Sequence, residues 1–175
     1  KEYIAEWRKF LGSVYYAKTP DFEQQRKAID LLGEPQNSPI RTLVERTAKE
    51  TSWDNPVVQA ELAAPQKGFV AWFKRKVLND SDDKAAAKAV DKAQGAISQE
   101  YQMFYQLVRK RDDLQDKSLF DEYMNNLAQV RSKFNDLKAA GEIGPSAMAL
   151  VKQTINGQTS VFNTTQKYVD EKMMV

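Results

Sequence analysis

The side chains of this sequence that could do chemistry form a narrow set, and carboxylates dominate it. Among 175 residues there is no histidine and no cysteine. That removes the commonest general base, the thiolate nucleophile and the usual zinc ligands. Acid–base work would fall to paired acids, and two adjacent pairs exist, Asp112/Asp113 and Asp121/Glu122. A catalytic pair needs a cleft that perturbs its pKa values. Neighbouring acids on helices of this composition are ordinarily solvated surface charges. The run Asp80-Ser81-Asp82-Asp83 looks like the start of a calcium loop, but such a loop needs a glycine at its sixth place and a bidentate glutamate at its twelfth. Ala85 and the shorter Asp91 stand there instead, so the run reads as a charged helix start. The 7 glycines stand singly, so no glycine-rich phosphate cradle is formed. No catalytic, cofactor-binding or metal-ligating residue is assigned, no cofactor is expected, and the chain is not expected to be an enzyme.

Recognition is the remaining chemistry. The 26 basic and 24 acidic residues are mixed along the chain and leave a net charge of +2. The short basic runs Lys74-Arg75-Lys76 and Arg109-Lys110-Arg111 are each followed by acids. A nucleic-acid binder would concentrate its cations in a stripe, so no nucleic-acid partner is expected. Phe69, Trp72 and Phe73 are the candidate protein-interaction residues, because exposed aromatic clusters anchor partners. The competing reading is that three aromatics at helical spacing belong to the core. No apolar run approaches the ~20 residues needed to cross a bilayer. The chain begins at Lys1 with no leader, and it reads as a soluble piece excised from a longer, membrane-anchored protein.

These residues have to be positioned by helices. Ile4, Trp7, Leu11 and Val14 recur at helical spacing and predict a helix to about Tyr16. Thr19-Pro20 predicts the next start, with Thr19 as N-cap and Pro20 at the first helical position. Phe22, Ile29 and Leu32 would face inward, and Gly33 would end the helix. Ser38-Pro39 repeats the start signal for a helix with Ile40, Leu43, Val44 and Thr47 on one face. Residues 56–95 are hard to assign, and Asp80–Gly95 holds Val90 as almost its sole large apolar residue. Beyond them, Ile97, Tyr101, Phe104, Tyr105 and Val108 stripe one helix ending near Arg111. Ser118 and Asp121 resemble a capping box. Phe120, Tyr123, Leu127, Val130, Phe134 and Leu137 then follow in 3-4-3-4-3 spacing until Gly141. Pro145 predicts a helix with Met148, Val151 and Ile155 inward, and Val161, Phe162, Thr165, Val169 and Met173 line the last one. The fold expected is all-α, an irregular bundle of about seven to eight helices. It is read as a single domain over 1–175, with sub-bundles 1–78 and 96–175 joined by a weakly packed 79–95 as the open alternative.

The first fifty residues also carry a resemblance. Trp7 with Phe10-Leu11, Ala28 with Leu31-Leu32, and above all Ser38-Pro39-Ile40-Arg41-Thr42-Leu43-Val44 followed by Glu45-Arg46-Thr47-Ala48-Lys49-Glu50-Thr51 resemble the periplasmic helical region of the IcmF/TssM family. The later half, with Gln102–Val108, Tyr123…Leu137 and Ser146-Ala147-Met148-Ala149, is similar in layout. The resemblance implies a scaffold part of a type VI secretion trans-envelope complex, in the periplasm of a bacterium, whose parent chain is anchored in the inner membrane. Implied partners are other copies of the chain and envelope subunits, including an outer-membrane lipoprotein bound mainly by a C-terminal β-rich domain outside this sequence. The family's nucleotide-binding-like region lies upstream, and no Walker motif occurs here. The alternative is a cytosolic helical adaptor unrelated to secretion.

Overall fold

The computed structural model describes residues 1–56, 58–59, 95–156 and 160–174. Among them are eight α-helices and no strand, so the chain is all-α as expected. The helices are α1 (Glu2–Ser13), α2 (Phe22–Leu32), α3 (Pro39–Glu50), α4 (Ala96–Glu100), α5 (Gln102–Val108), α6 (Leu119–Ala139), α7 (Ile143–Asn156) and α8 (Val161–Tyr168). A 3-10 turn at Asp112–Leu114 and a π-helical turn at Val169–Met173 complete the order. The chain forms two compact units, one from Lys1–Tyr15 with Glu45–Gln106 and one from Tyr16–Val44 with Leu107–Val175. The segment 79–95, where the sequence placed its division, is outside the described residues except for Gly95.

Among the described residues of the first unit, more polar than apolar side chains are buried. Thr47, Thr51, Ser52, Asn55 and Ser98 are buried beside Ala48, Val58, Tyr101 and Tyr105. Buried polar groups need partners, and these have them. The Thr51 hydroxyl donates to the Thr47 carbonyl at 2.6 Å, the Val58 N–H donates to Asn55 Oδ1 at 3.3 Å, and Gln59 Nε2 donates to Ser52 Oγ at 3.0 Å. Helix α1 buries no residue fully. Instead it is tied down by polar contacts: the Tyr3 hydroxyl donates to the Glu50 carbonyl (2.6 Å), the Tyr101 hydroxyl donates to the Ile4 carbonyl (2.9 Å), and Arg8 pairs with Glu100.

Two expectations for these elements are corrected. Helix α1 stops at Ser13, and Val14 is extended rather than helical. Tyr15 and Tyr16 are 84% and 55% exposed, so no packing offsets the poor helix propensity of a Val-Tyr-Tyr run. The stripe from Ile97 to Val108 is also not one helix. It breaks at Tyr101 (φ −109°, ψ 18°), the residue whose hydroxyl reaches the Ile4 carbonyl, and it ends at Val108 rather than Arg111.

The second unit is organised on α6, which buries Phe120, Met124, Leu127, Val130 and Leu137. Helices α2, α7 and α8 pack against it. Its start is the expected capping box: Ser118 Oγ accepts from the Asp121 N–H at 3.0 Å, and Asp121 Oδ2 accepts from the Ser118 N–H at 2.9 Å. Beyond its C-cap at Ala140, Gly141 takes φ +78°, a conformation cheap only for glycine. Gly33 closes α2 for a different reason. Its φ is −86°, but a Cβ there would press on the Leu127 carbonyl at 3.1 Å and the Arg131 Cβ at 3.0 Å. Its hydrogen side chain thus permits the close approach of α2 and α6.

Three details of this unit differ from expectation. Helix α2 is capped by Asp21, whose carboxylate accepts from the Gln24 N–H at 2.8 Å, and it starts at Phe22 rather than at Pro20. A carboxylate is the stronger acceptor for the orphan N–H groups of a first turn. Helix α7 opens at Ile143, with Pro145 third. Most consequentially, Met148, Val151 and Ile155 do not face inward, being 57%, 50% and 77% exposed. The neighbouring stripe of Ala147, Leu150 and Thr154 is the half-buried one. Helix α7 is apolar on most of its circumference, so periodicity alone cannot select its inner face.

Candidate functional site

The candidate interaction residues Phe69, Trp72 and Phe73 lie outside the described residues, as do Lys74-Arg75-Lys76 and Asp80–Asp83. Among the described residues no group of three or more acids is placed to hold a metal ion. One acid of each pair is taken up by local contacts. Asp113 accepts two hydrogen bonds from the Arg111 guanidinium, at 2.9 and 2.8 Å. Asp121, beyond its capping role, accepts from Arg41 Nη1 at 3.0 Å and from Lys110 Nζ. Burial alone would push the Asp121 carboxyl up, but the Lys110, Ser118 and Arg41 hydrogen bonds outweigh it and hold it well below the usual carboxylate range. Beside it, burial and the Glu122 carboxylate push the Tyr168 phenol upward, and that hydroxyl donates to the Leu119 carbonyl at 2.9 Å.

This arrangement explains what the Ser38-Pro39-Ile40-Arg41 segment does. Ser38 is fully buried. Its Oγ accepts from the Ile40 N–H at 3.2 Å and donates to the Leu32 carbonyl at 2.6 Å, joining the end of α2 to the start of α3. Arg41 donates through Nε to the Pro35 carbonyl at 2.6 Å and through Nη1 to Asp121, with its guanidinium 5.7 Å from the Phe120 ring centroid. A planar guanidinium can serve a carbonyl, a carboxylate and an aromatic ring at once, which lysine cannot. The segment anchors the helices.

Among the described residues two open apolar surfaces remain. In the first unit Tyr3, Trp7 and Phe10 follow one another along α1, with ring centroids 6.4 and 5.5 Å apart, and Trp53 meets Tyr3 edge-on at 6.2 Å. In the second unit a groove of about 450 Å³ opens between α2 and α7. Phe22 stacks on Phe134 across 6.1 Å, and Phe162 meets Phe134 edge-on at 6.2 Å, so three aromatic rings line it. Leu137 deepens it, and Val151 and Ile155 form the α7 wall.

The comparisons with known proteins bear on the anchoring segment. Residues 1–52 match a family model described as IcmF-related, intracellular multiplication and human macrophage-killing. The matched segment is similar to that family over 52 of the 175 residues. It contains α1, α2, α3 and the Ser38–Arg41 anchor, and the match ends at Ser52. No curated protein and no solved structure matches the chain. The groove, by contrast, is built mostly from residues beyond the IcmF-related segment, and sequence reasoning missed it. A usable signal was present: α7 has a single charged residue, Lys152, in 14 positions, within a chain that is 29% charged. Among the described residues no helix is long and apolar enough to cross a membrane.

Proposed function

We propose that this chain is a non-catalytic helical scaffold in the periplasmic part of a bacterial trans-envelope secretion complex, acting by protein–protein contact. The observation that carries this reading is the IcmF-related match over residues 1–52, which supports a secretion-associated protein. The use of that segment fits the role. Its most specific residues, Ser38 and Arg41, are spent on joining helices, as a part that transmits force or spacing requires. Acids that could have served catalysis are engaged in caps and ion pairs, with Asp121 held by two cations and Asp113 by Arg111.

In this reading the parent chain is anchored in the inner membrane. The helices space that anchor from more distal domains and offer lateral surfaces to other copies of the chain and to envelope subunits. The test is a crosslinking pull-down from envelope extracts of the native cell, read by mass spectrometry. Recovery of inner-membrane and outer-membrane subunits of a secretion complex is the expected result. Recovery of cytosolic proteins alone would overturn the reading and favour a cytosolic adaptor.

A further inference from the structure

We propose that the connection Val14–Thr19 is a processing site, hydrolysed on the carboxyl side of Tyr15 or Tyr16 by a serine endoprotease whose specificity pocket takes an aromatic side chain. A site of this kind goes beyond the scaffold reading and does not depend on it. Endoproteases take several consecutive residues as an extended strand. A folded chain is therefore cut where such a strand already lies open, without unfolding.

The residues from Val14 to Thr19 include no helix, turn or bend. Val14 is extended, at φ −80° and ψ 119°, and Thr19 precedes Pro20, which holds the residue before it in extended backbone. At ~3.3 Å per residue the run spans about 20 Å. Among the described residues, Tyr15, Tyr16, Ala17 and Lys18 make no backbone hydrogen bond, so none has to be broken for a protease to pair with them. All four are exposed, Tyr15 at 84% and Tyr16 at 55%. Either ring can enter an aromatic pocket without first leaving a packed position.

Other connections are closed to this use. The Arg111 N–H on the Lys117 carbonyl (3.0 Å) folds that turn back on itself, and Gln115 and Asp116 in it are left-handed rather than extended. Between α2 and α3 the Pro35 carbonyl is held by Arg41 Nε at 2.6 Å, and Ser38 is buried. After α3 the Asn55 N–H closes on the Ser52 carbonyl at 2.9 Å.

The reaction is acyl transfer to water. The protease serine adds to the Tyr16 carbonyl carbon, and the bond to the Ala17 nitrogen breaks as that nitrogen takes a proton. Water then releases the acyl group, leaving Tyr16 as a carboxylate and Ala17 as a new N-terminus, with one water added in all. The joint between α1 and α2 then rests on noncovalent contacts of α1, among them Tyr3 with the Glu50 carbonyl and Arg8 with Glu100. A permanent linkage becomes one that can be undone.

The test is digestion of the folded, whole chain with chymotrypsin, read by intact-mass spectrometry. Fragments ending at Tyr15 or Tyr16 should appear at a rate proportional to protease concentration. Phe120→Ala, which destabilises the fold, should leave that rate unchanged, because the cut needs no unfolding. Tyr15→Ser combined with Tyr16→Ser should slow it by about tenfold or more without moving the circular-dichroism melt. Ala17→Pro, which suits extended backbone and removes no hydrogen bond, should abolish the Tyr16 end and spare the Tyr15 end.

A rate that rises with Phe120→Ala would overturn the proposal, because the segment would then be cut only from unfolded chain. Absence of both ends while the chain is digested elsewhere would do the same. In the native cell, mass spectrometry of the protein should find peptides ending at Tyr15 or Tyr16. Finding only peptides that run uncut across both bonds would overturn the assignment as a processing site.

Discussion

The two units solve the problem of a helical interior with different chemistry. Among its described residues the first buries hydroxyls and an amide, with Thr47, Thr51, Ser52, Asn55 and Ser98 sharing space with Tyr101 and Tyr105. The second buries an apolar stripe, Phe120 through Leu137 on α6, beside Ser38, Ser118 and Ser160, with the Asp121–Arg41 pair half-buried at one end. Hydrogen bonds are directional, so an interior built on them closes when its partners are used up. Among the described residues every buried side-chain nitrogen and oxygen has a partner. An apolar interior has no such end point. In the second unit it continues from Leu137 past Phe134 and Phe22 to the exposed Val151 and Ile155. The first unit's open apolar surface is the separate aromatic run on α1, whereas in the second the interior itself runs out to the surface.

The severest way to break this comparison is to open the apolar interior. Phe120 is 2% exposed, and Phe120→Ala should cost about 3–5 kcal/mol through lost transfer energy and a residual cavity. The readout can separate the units, because Trp7 and Trp53 belong to the first and the third tryptophan, Trp72, falls within its sequence span. Denaturant unfolding followed by circular dichroism should shift strongly, while the tryptophan transition should move less. If both shift equally, the units unfold as one and their distinction has no energetic meaning.

The complementary cut is at Asp54 in the first unit. Its carboxylate accepts from the Ile97 N–H at 2.8 Å and the Ser98 N–H at 2.9 Å, capping α4 from a distant part of the chain. Asp54→Ala should cost about 1–2 kcal/mol, the upper range for a cap, and should appear chiefly in tryptophan fluorescence. Gly95→Ala should act in the same direction, since a Cβ there would overlap the Asp54 carboxylate. An unchanged tryptophan transition in both variants would show that directional bonds do not hold the first unit.

How far each unit could be read from the sequence follows from the same chemistry. Local signals were legible: the Ser118/Asp121 box, the Gly141 stop and the Ser38-Pro39 start are each written within a few neighbouring residues and appear as read. Partnerships across the chain were not. Asp54 with Ile97, Tyr101 with Ile4 and Arg41 with Asp121 leave no periodic trace, because a polar contact needs one acceptor and no repeat. Met124, fully buried on α6, was missed because it sits beside the strict 3-4 stripe. The α7 face was misassigned because both of its stripes are apolar. The groove was thus hidden by the apolar character that forms it.

Acid sharpens the comparison within the second unit. The Asp121 carboxyl lies below its ordinary value of 3.8 when folded. The unfolded chain therefore binds the proton more readily. The stabilisation is fully present above about pH 4 and is lost progressively as pH falls below it. Asp121→Asn should flatten that limb of the stability curve between pH 5 and the acid range, at the cost of a uniform loss of about 1–2 kcal/mol at neutral pH. An acid limb of undiminished steepness would place the titrating group elsewhere.

The smallest effect expected is a gain. The turn that carries Lys110 toward Asp121 closes with the Arg111 N–H on the Lys117 carbonyl (3.0 Å) and the Asp116 N–H on the Arg111 carbonyl (3.1 Å). To make it, Gln115 and Asp116 both adopt left-handed backbone, φ 56° and 61°. For a side chain with a Cβ this costs about 1–2 kcal/mol, less for aspartate, which visits that region more readily. Glycine relieves the strain but gives back several tenths through its freer unfolded chain. Gln115→Gly should therefore stabilise the second unit by about 0.5–1 kcal/mol, and Asp116→Gly by less. The order between the two matters more than either value. Equal gains would mean that the strain is shared by the turn as a whole, and a loss at Gln115 would mean that its side chain contributes more than its backbone costs. In either case the tryptophan transition of the first unit should stay where it was.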